Sequence, residues 1–184
     1  MSAVLFYTVG LPGAGKTTFA RHMSHWLGVQ HLRGDKIGLE LFRFPTFSPQ
    51  ERQMVYAEMG RRAGESLRRG QHVVYDAAVN TRAQRVQLEQ LAKQHGGAAV
   101  GVWVQVPTEV AKKRAGQLRD ANLVGPVARI IPPHIFDQYL AAFEAPTSER
   151  NIIAVAGDAY FALQYRRIQR QLRGSSLRTP RLVQ

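Results

Sequence analysis

A three-layer α/β sandwich, with a parallel sheet of about five strands covered by helices on both faces, is the fold class this 184-residue sequence predicts. Three observations point there. Short apolar runs alternate with helical stretches along the chain, the pattern of parallel strands joined by helical crossovers. The first run, Val4-Leu5-Phe6-Tyr7-Thr8-Val9, lacks regular polar alternation, as a strand covered on both faces requires. A glycine-rich turn follows it directly and opens a helix.

Each element has its own signal. The turn leads into a helix from Gly15 to about Leu27, and Val29 to Arg33 is a short second strand ending at Gly34-Asp35. Ser48-Pro49-Gln50-Glu51 reads as a helix start: Ser as cap, Pro in the first turn, Glu at the capping-box position. Val55, Met59, Ala63 and Leu67 then recur every four residues until Gly70 stops the helix. His72 to Asp76 is a strand that ends on an acid, and Thr81 to His95 a helix closed by Gly96-Gly97. Ala98 to Val106 is a strand, Pro107 to Leu118 a helix, and the polar stretch from Arg119 to Ile131 a mobile connection. A helix from Pro132 to Phe143, a strand Ile152 to Ala156 and a helix from Asp158 to Leu172 complete the body. One domain is expected over 1–173, with a helical lid at about 114–135 and a basic flexible tail at 174–184.

Composition narrows the function. There are no cysteines, which excludes disulfides, thiolate metal sites and cysteine nucleophiles together and suits a reducing cytoplasm, the expected location. No apolar run approaches the ~18 residues of a membrane span, and the start, Met1-Ser2-Ala3-Val4-Leu5, has no basic segment of a secretory signal. The formal net charge is +12, and 20 of the 25 cations are Arg. Asp158 is the last acid; six Arg follow it, so residues 1–158 carry 19 minus 13, or +6. An Arg-rich excess suits a polyanion partner or a phosphorylated ligand, but a basic solvated helix and tail accounts for half of it.

Gly10-Leu11-Pro12-Gly13-Ala14-Gly15-Lys16-Thr17 matches the phosphate-binding loop G-x-x-x-x-G-K-[ST] in full, between a buried strand and a helix. Glycines let the backbone curl so that successive N–H groups converge on phosphate, and the helix N-terminus adds partial positive charge. Gly10, Gly13, Ala14, Gly15, Lys16, Thr17 and Thr18 are therefore the expected nucleotide contacts. Lys16 would reach the β- and γ-phosphates of ATP, and the Thr17 hydroxyl would be a ligand for Mg²⁺. Asp35, 20 residues after Gly15, sits where a dinucleotide fold keeps its ribose acid. The glycine order G-x-x-G-x-G and the Lys-Thr pair argue against that fold.

Further residues carry candidate chemistry. Asp35 closes the second strand and should lie at the carboxyl edge of the sheet, where a carboxylate can accept the proton of an acceptor hydroxyl; a helix cap is the alternative. Asp76 ends the third strand in the layout of a Mg²⁺-holding acid, with a plain turn residue as the alternative. Arg114 and Arg119 flank the start of the lid, where an Arg can close over the transferring phosphoryl. Arg85 follows on the helix after Asp76 and faces either cleft or solvent. His22 and His25 share a helix face without a third ligand, so no metal site is expected there.

These motifs resemble the polynucleotide 5′-kinases, within a wider family of small P-loop kinases that also includes zeta toxins and antibiotic phosphotransferases. The resemblance covers about residues 4–150. Val9 to Phe19 looks like the nucleotide loop, and Gly34-Asp35-Lys36-Ile37-Gly38 like a D-x-hydrophobic-G segment whose Asp is the general base. That family usually has Arg before the Asp; here Gly34 stands there and Arg33 one place earlier. Asp76 followed nine residues on by Arg85, Leu118-Arg119-Asp120 in the lid, and Phe143-Glu144-Ala145-Pro146-Thr147 are similar in the same way. The resemblance implies a P-loop NTPase fold, Lys16, Asp35 and Arg119 as catalytic residues, and Arg114 on the nucleotide. Arg33, Asp35 and Arg85 would lie around the acceptor. The expected activity is ATP- and Mg²⁺-dependent transfer to a hydroxyl, first of all the 5′-hydroxyl of DNA or RNA. A small metabolite, nucleoside or antibiotic is the alternative acceptor. An ATP-switched nucleic-acid-binding module without transfer is the alternative of another class.

Overall fold

The computed structural model of the chain describes residues 2–46, 48–117 and 130–173. Among these residues five strands form one parallel sheet: β1 (Val4–Val9), β2 (Gln30–Arg33), β3 (Val73–Asp76), β4 (Ala98–Gln105) and β5 (Ile152–Ala156), in the order β2-β3-β1-β4-β5. β1 is central because it is apolar on both sides; all six of its residues are buried, with Leu5 in register with Val73 on one side and Ala99 on the other. The expected three-layer architecture is therefore the observed one.

The two faces are covered by different helices. Phe19, Ala20, Met23 and Leu27 of α1 (Lys16–Leu27) pack with Phe161, Tyr165, Ile168 and Leu172 of α7 (Phe161–Leu172) against Val4, Phe6, Val74 and Val102. On the other face lie α3 (Pro49–Arg68) and α4 (Arg82–Gln94). The four-residue stripe Val55, Met59, Ala63 and Leu67 packs there with Leu88 and Ala92 on Leu5, Tyr7 and Val73. Each fully buried Val, Leu, Ile, Phe or Met among them contributes on the order of 1.5–3 kcal/mol. A third, small cluster joins α5 (Thr108–Ala115) to α6 (Pro133–Ala141) through Ala111, Ala115 and Phe136.

The element boundaries differ from expectation where packing intervenes. α7 starts at Phe161, three residues later than Asp158. A Cβ on Gly157 would meet the Ala14 carbonyl oxygen at 2.3 Å, so the β5–α7 turn is wedged against the glycine-rich loop and the helix begins only beyond it. A short helix, α2 (Gly34–Leu41), follows β2 directly, and Asp35 lies in its first turn. Ser48 caps α3 by accepting from the Glu51 N–H at 3.2 Å. The Glu51 carboxylate turns instead to the Thr46 N–H at 2.7 Å, so only half the expected capping box forms. The complete box is on α4, between Thr81 and Gln84. Most of the expected lid (118–129, with Arg119) and the tail 174–184 lie outside the described residues.

Candidate active site

The chain runs from β1 to β2 on one side of the sheet and later crosses from β3 to β4 on the other. The carboxyl end of β1 is therefore a topological switch point, where an open parallel sheet leaves a crevice for ligand. The loop 10–17 fills this position. Gly10 has φ 141° and Gly13 φ 90°, and a Cβ would meet the Val104 carbonyl oxygen at 2.6 Å in the first case and the Ala111 carbonyl oxygen at 2.0 Å in the second. Only glycine satisfies both demands. Gly15, also left-handed, precedes α1 without a side-chain cap, so the first-turn N–H groups have no intrahelical acceptor and face the loop. Lys16 Nζ donates to the Gly10 and Leu11 carbonyls at 2.8 and 2.9 Å, which holds its ammonium over the loop.

The acids come next. Thr17 Oγ1 donates to Asp76 Oδ1 at 3.2 Å, bringing a hydroxyl and a carboxylate together at the mouth of the loop. Asp76 is buried, and its other oxygen, Oδ2, lies 3.1 Å from His31 Nε2. His31 and Asp76 meet because β2 and β3 are paired with Arg33 opposite Asp76 and His31 opposite Val74, so all four side chains share one face. Hard oxygen donors from one hydroxyl and one carboxylate, with room for phosphate and water, are the chemistry Mg²⁺ takes, so Thr17 and Asp76 fit that ion.

Asp35 is held locally. Arg33 Nε donates to Oδ1 at 3.0 Å, a terminal guanidinium nitrogen pairs with Oδ2, and the Lys36 N–H donates to Oδ1 at 2.8 Å. The carboxylate stands in the first turn of α2, where Arg33 and not Asp35 holds the cap position, and it lines the cleft. That cleft is about 360 Å³ and brings together Lys16, Thr17, Asp35 and Asp76. Its far wall is Phe42, Val55 and Tyr56, with Arg52 beside them and Tyr139 of α6 closing from above. Burial pushes the Tyr56 phenol above its ordinary range, with Arg52 pulling the other way. A larger polar cleft, about 620 Å³, opens at the amino ends of β2 and β3 around Gln30, Ser66 and His72. It is at the wrong end of the strands for a phosphate loop and gathers none of the motifs.

Two of the remaining sequence candidates can be placed. Arg114 lies one turn on from Ala111, whose carbonyl abuts Gly13, and is not among the residues that line the cleft. Arg85 does not reach the acceptor cleft. It is 1% exposed, paired with Glu149 through Nε at 2.9 Å and a terminal nitrogen at 2.7 Å, and bonded to the Asn80 carbonyl at 3.2 Å. The expectation of an acceptor contact is corrected: Arg85 faces inward because Glu149, ahead of β5, supplies the only kind of partner that makes burying a guanidinium tolerable. His31, Arg52, Tyr56 and Tyr139 were not singled out from the sequence; for His31, the strand register that points it at Asp76 is invisible without the sheet.

A family profile described as AAA domain matches residues 5–146. The adenylyl-sulfate kinase of Myxococcus xanthus (strain DK1622) is 28% identical over 110 residues, 58% of this chain and 60% of that protein. The match thus spans less than two thirds of that relative. A gluconokinase from Sinorhizobium meliloti 1021 superposes with a TM-score of 0.64 at 17% identity, covering 94% of this chain and 92% of its own. The Mycobacterium tuberculosis APS kinase CysC, solved with AMPPNP and APS, gives a TM-score of 0.64 at 17% identity, covering 94% and 98%. These likenesses establish the fold and support the likeness to small P-loop kinases; none of these relatives is a polynucleotide kinase, so they lend that narrower likeness no support. Because the profile runs from β1 past the end of α6 and takes in every residue of the cleft, the chain belongs to the AAA domain family and has the fold of the small P-loop kinases.

Proposed function

We propose that the protein is an ATP-dependent kinase that transfers the γ-phosphoryl group to a hydroxyl of a small molecule. The observation that carries this reading is convergence: the Lys16 ammonium, the Thr17–Asp76 pair and the Asp35 carboxylate line one cleft of about 360 Å³. A nucleotide switch has no use for a carboxylate opposite the phosphate loop. A space of this size with an apolar, aromatic wall suits a small acceptor better than a polymer end, and the matched relatives are named for adenylyl sulfate and gluconate, both small hydroxyl compounds.

In this reading the loop N–H groups and Lys16 bind the phosphates, and Thr17 and Asp76 would hold Mg²⁺, which would supply charge neutralisation to the phosphate oxygens. His31 orients Asp76. Asp35 accepts the proton of the acceptor hydroxyl as the new O–P bond forms and the bond to ADP breaks. Arg33 fixes both Asp35 oxygens so that the base does not swing. The screen that tests this uses γ-labelled ATP with panels of sugars, sugar acids, nucleosides, nucleotides and a 5′-hydroxyl oligonucleotide. Label on a small alcohol supports the reading. Label on the oligonucleotide alone returns the acceptor to nucleic acid, and label on water alone removes the kinase.

A further inference from the structure

We propose that a second small-molecule site lies between α3 and α4, behind the Tyr56 wall of the cleft, and that it takes a single uncharged ring carrying one hydrogen-bond acceptor. The site rests on the pocket itself and not on the identity of the phosphoryl acceptor. Side chains of β3 alternate between the two faces of the sheet, so Val73 and Tyr75 meet the α3/α4 layer while Val74 meets the α1/α7 layer. Tyr75 thus carries a hydroxyl into an apolar layer, and the helices do not close over it. A pocket of about 190 Å³ remains there, its lining including Tyr56, Gly60, Tyr75, Val79, Leu88 and Leu91.

Three features make this a site rather than a packing defect. First, Tyr75 is 4% exposed, yet its hydroxyl has no hydrogen-bond partner among the described residues. A buried hydroxyl without a partner costs stability, and native structures rarely leave one so. Gln84, on the same pocket, gives its carbonyl to the Asn80 and Thr81 N–H groups at 2.9 and 3.1 Å instead. Burial pushes the Tyr75 phenol above its ordinary range, so it keeps its proton and can donate. Second, Gly60 sits in the interior of the 20-residue α3, where glycine is less favourable than alanine. No close contact demands it: a Cβ there would lie 3.9 Å from Leu91 Cδ2, an ordinary distance. Its missing side chain leaves the pocket open. Third, among the described residues no charged side chain lines the pocket, so an ionic ligand would lose its hydration with nothing to replace it. An apolar cavity of about 150 Å³ takes benzene, so this one has room for a ring with a short substituent. A carbonyl oxygen on that substituent would accept from Tyr75. Tyr56 lines both this pocket and the phosphate-loop cleft, so an occupant packs against the back of the cleft's far wall.

Acetophenone, ethylbenzene and benzoate share a ring and differ in the group it carries. Titrating each into the isotope-labelled full chain, and following backbone amide shifts by NMR, reads affinity and location together. Acetophenone should shift amides of α3 and α4 and leave the phosphate loop in place. Ethylbenzene should bind about fivefold more weakly, the scale of one neutral hydrogen bond. Benzoate should bind more weakly still. Tyr75→Phe should lower acetophenone to the ethylbenzene level without changing ethylbenzene, and Gly60→Leu should abolish binding of both by filling the pocket. AMPPNP affinity near wild type shows that each variant is folded. Gly60→Ala, which adds only a Cβ that has room, should weaken acetophenone less and serves in place of Gly60→Leu if that variant does not fold. The proposal is overturned if acetophenone shifts no amide up to its solubility limit, or if its shifts centre on the phosphate-loop cleft. It is equally overturned if acetophenone binds no better than ethylbenzene or benzoate, or if its advantage survives Tyr75→Phe.

Discussion

Asp35 and Asp76 are both carboxylates at the carboxyl edge of the sheet, yet their surroundings give them different work. Asp76 is buried between a hydroxyl and an imidazole, so its two oxygens are aimed and stationary. Asp35 is partly open to the cleft and held by Arg33. Asp35→Asn keeps the shape and removes the basic oxygen, so turnover should fall by roughly 100-fold or more while nucleotide affinity stays near wild type. Turnover at the wild-type rate would reduce Asp35 to an anchor for α2. Lys16→Ala should abolish most nucleotide affinity in calorimetry; undiminished ATP binding would contradict the role given to the loop. His31→Ala frees one oxygen of Asp76, and loss of such an outer partner weakens a metal by about tenfold or more. Direct Mn²⁺ titration with AMPPNP present reads this independently of turnover, and His31→Gln should recover part of the loss.

At the level of elements, α4 and the segment before β5 are joined by a set of polar contacts beside the apolar packing of Phe143. Arg85 and Glu149 form the central pair, Asn151 Nδ2 donates to Glu89 Oε1 at 2.8 Å, and the Glu144 carboxylate accepts from the Arg82 N–H at 2.6 Å. Removing one partner of a buried ion pair leaves a stranded charge. Arg85→Ala should therefore destabilise the fold by about 3–5 kcal/mol, whereas Arg85→Met with Glu149→Leu should recover much of it. Urea unfolding measures both. The acceptor KM of any Arg85 variant that still folds should match wild type, and a selective rise in that KM would restore Arg85 to the acceptor site. The F-E-x-P-T stretch that drew attention in the sequence is thus a tie: Glu144 caps α4, and the Glu144 N–H donates to the Asn80 carbonyl at 3.1 Å.

For the whole molecule, stability should depend on pH through a histidine far from the phosphate-loop cleft. His72 Nδ1 accepts from the Val4 N–H at 3.0 Å, joining the entry of β3 to the start of β1. Burial lowers its pKa below the ordinary value. The unfolded chain then binds more protons than the folded chain in the window just below the histidine reference of about 6.5, so stability falls as pH drops through it. Chemical unfolding at pH 7.5 and pH 5 should show the loss. His72→Gln should flatten this part of the profile; an unchanged slope would place the sensitivity elsewhere.

Much of this was legible in the chain because it rests on local pattern. The fully apolar run of β1, the glycine-rich turn after it and the four-residue stripe of α3 dictate strand, loop and helix by backbone sterics and one-dimensional periodicity. The phosphate loop needs nothing beyond itself to be recognised: glycines for the curl, Lys16 and Thr17 at the helix start. Asp76 could be placed at the sheet edge because it ends the apolar strand β3, whereas Asp35, expected to close the second strand, stands two residues past it in the first turn of α2. What the tertiary structure decided are pairings across long separations. His31 meets Asp76 over 45 residues and Arg85 meets Glu149 over 64. Strand order, register and the wedge of Gly157 against the loop set those pairings, and they arise from how two layers of helices close on the sheet. Periodicity tells which face of an element is buried; it carries no information about which distant residue will be opposite.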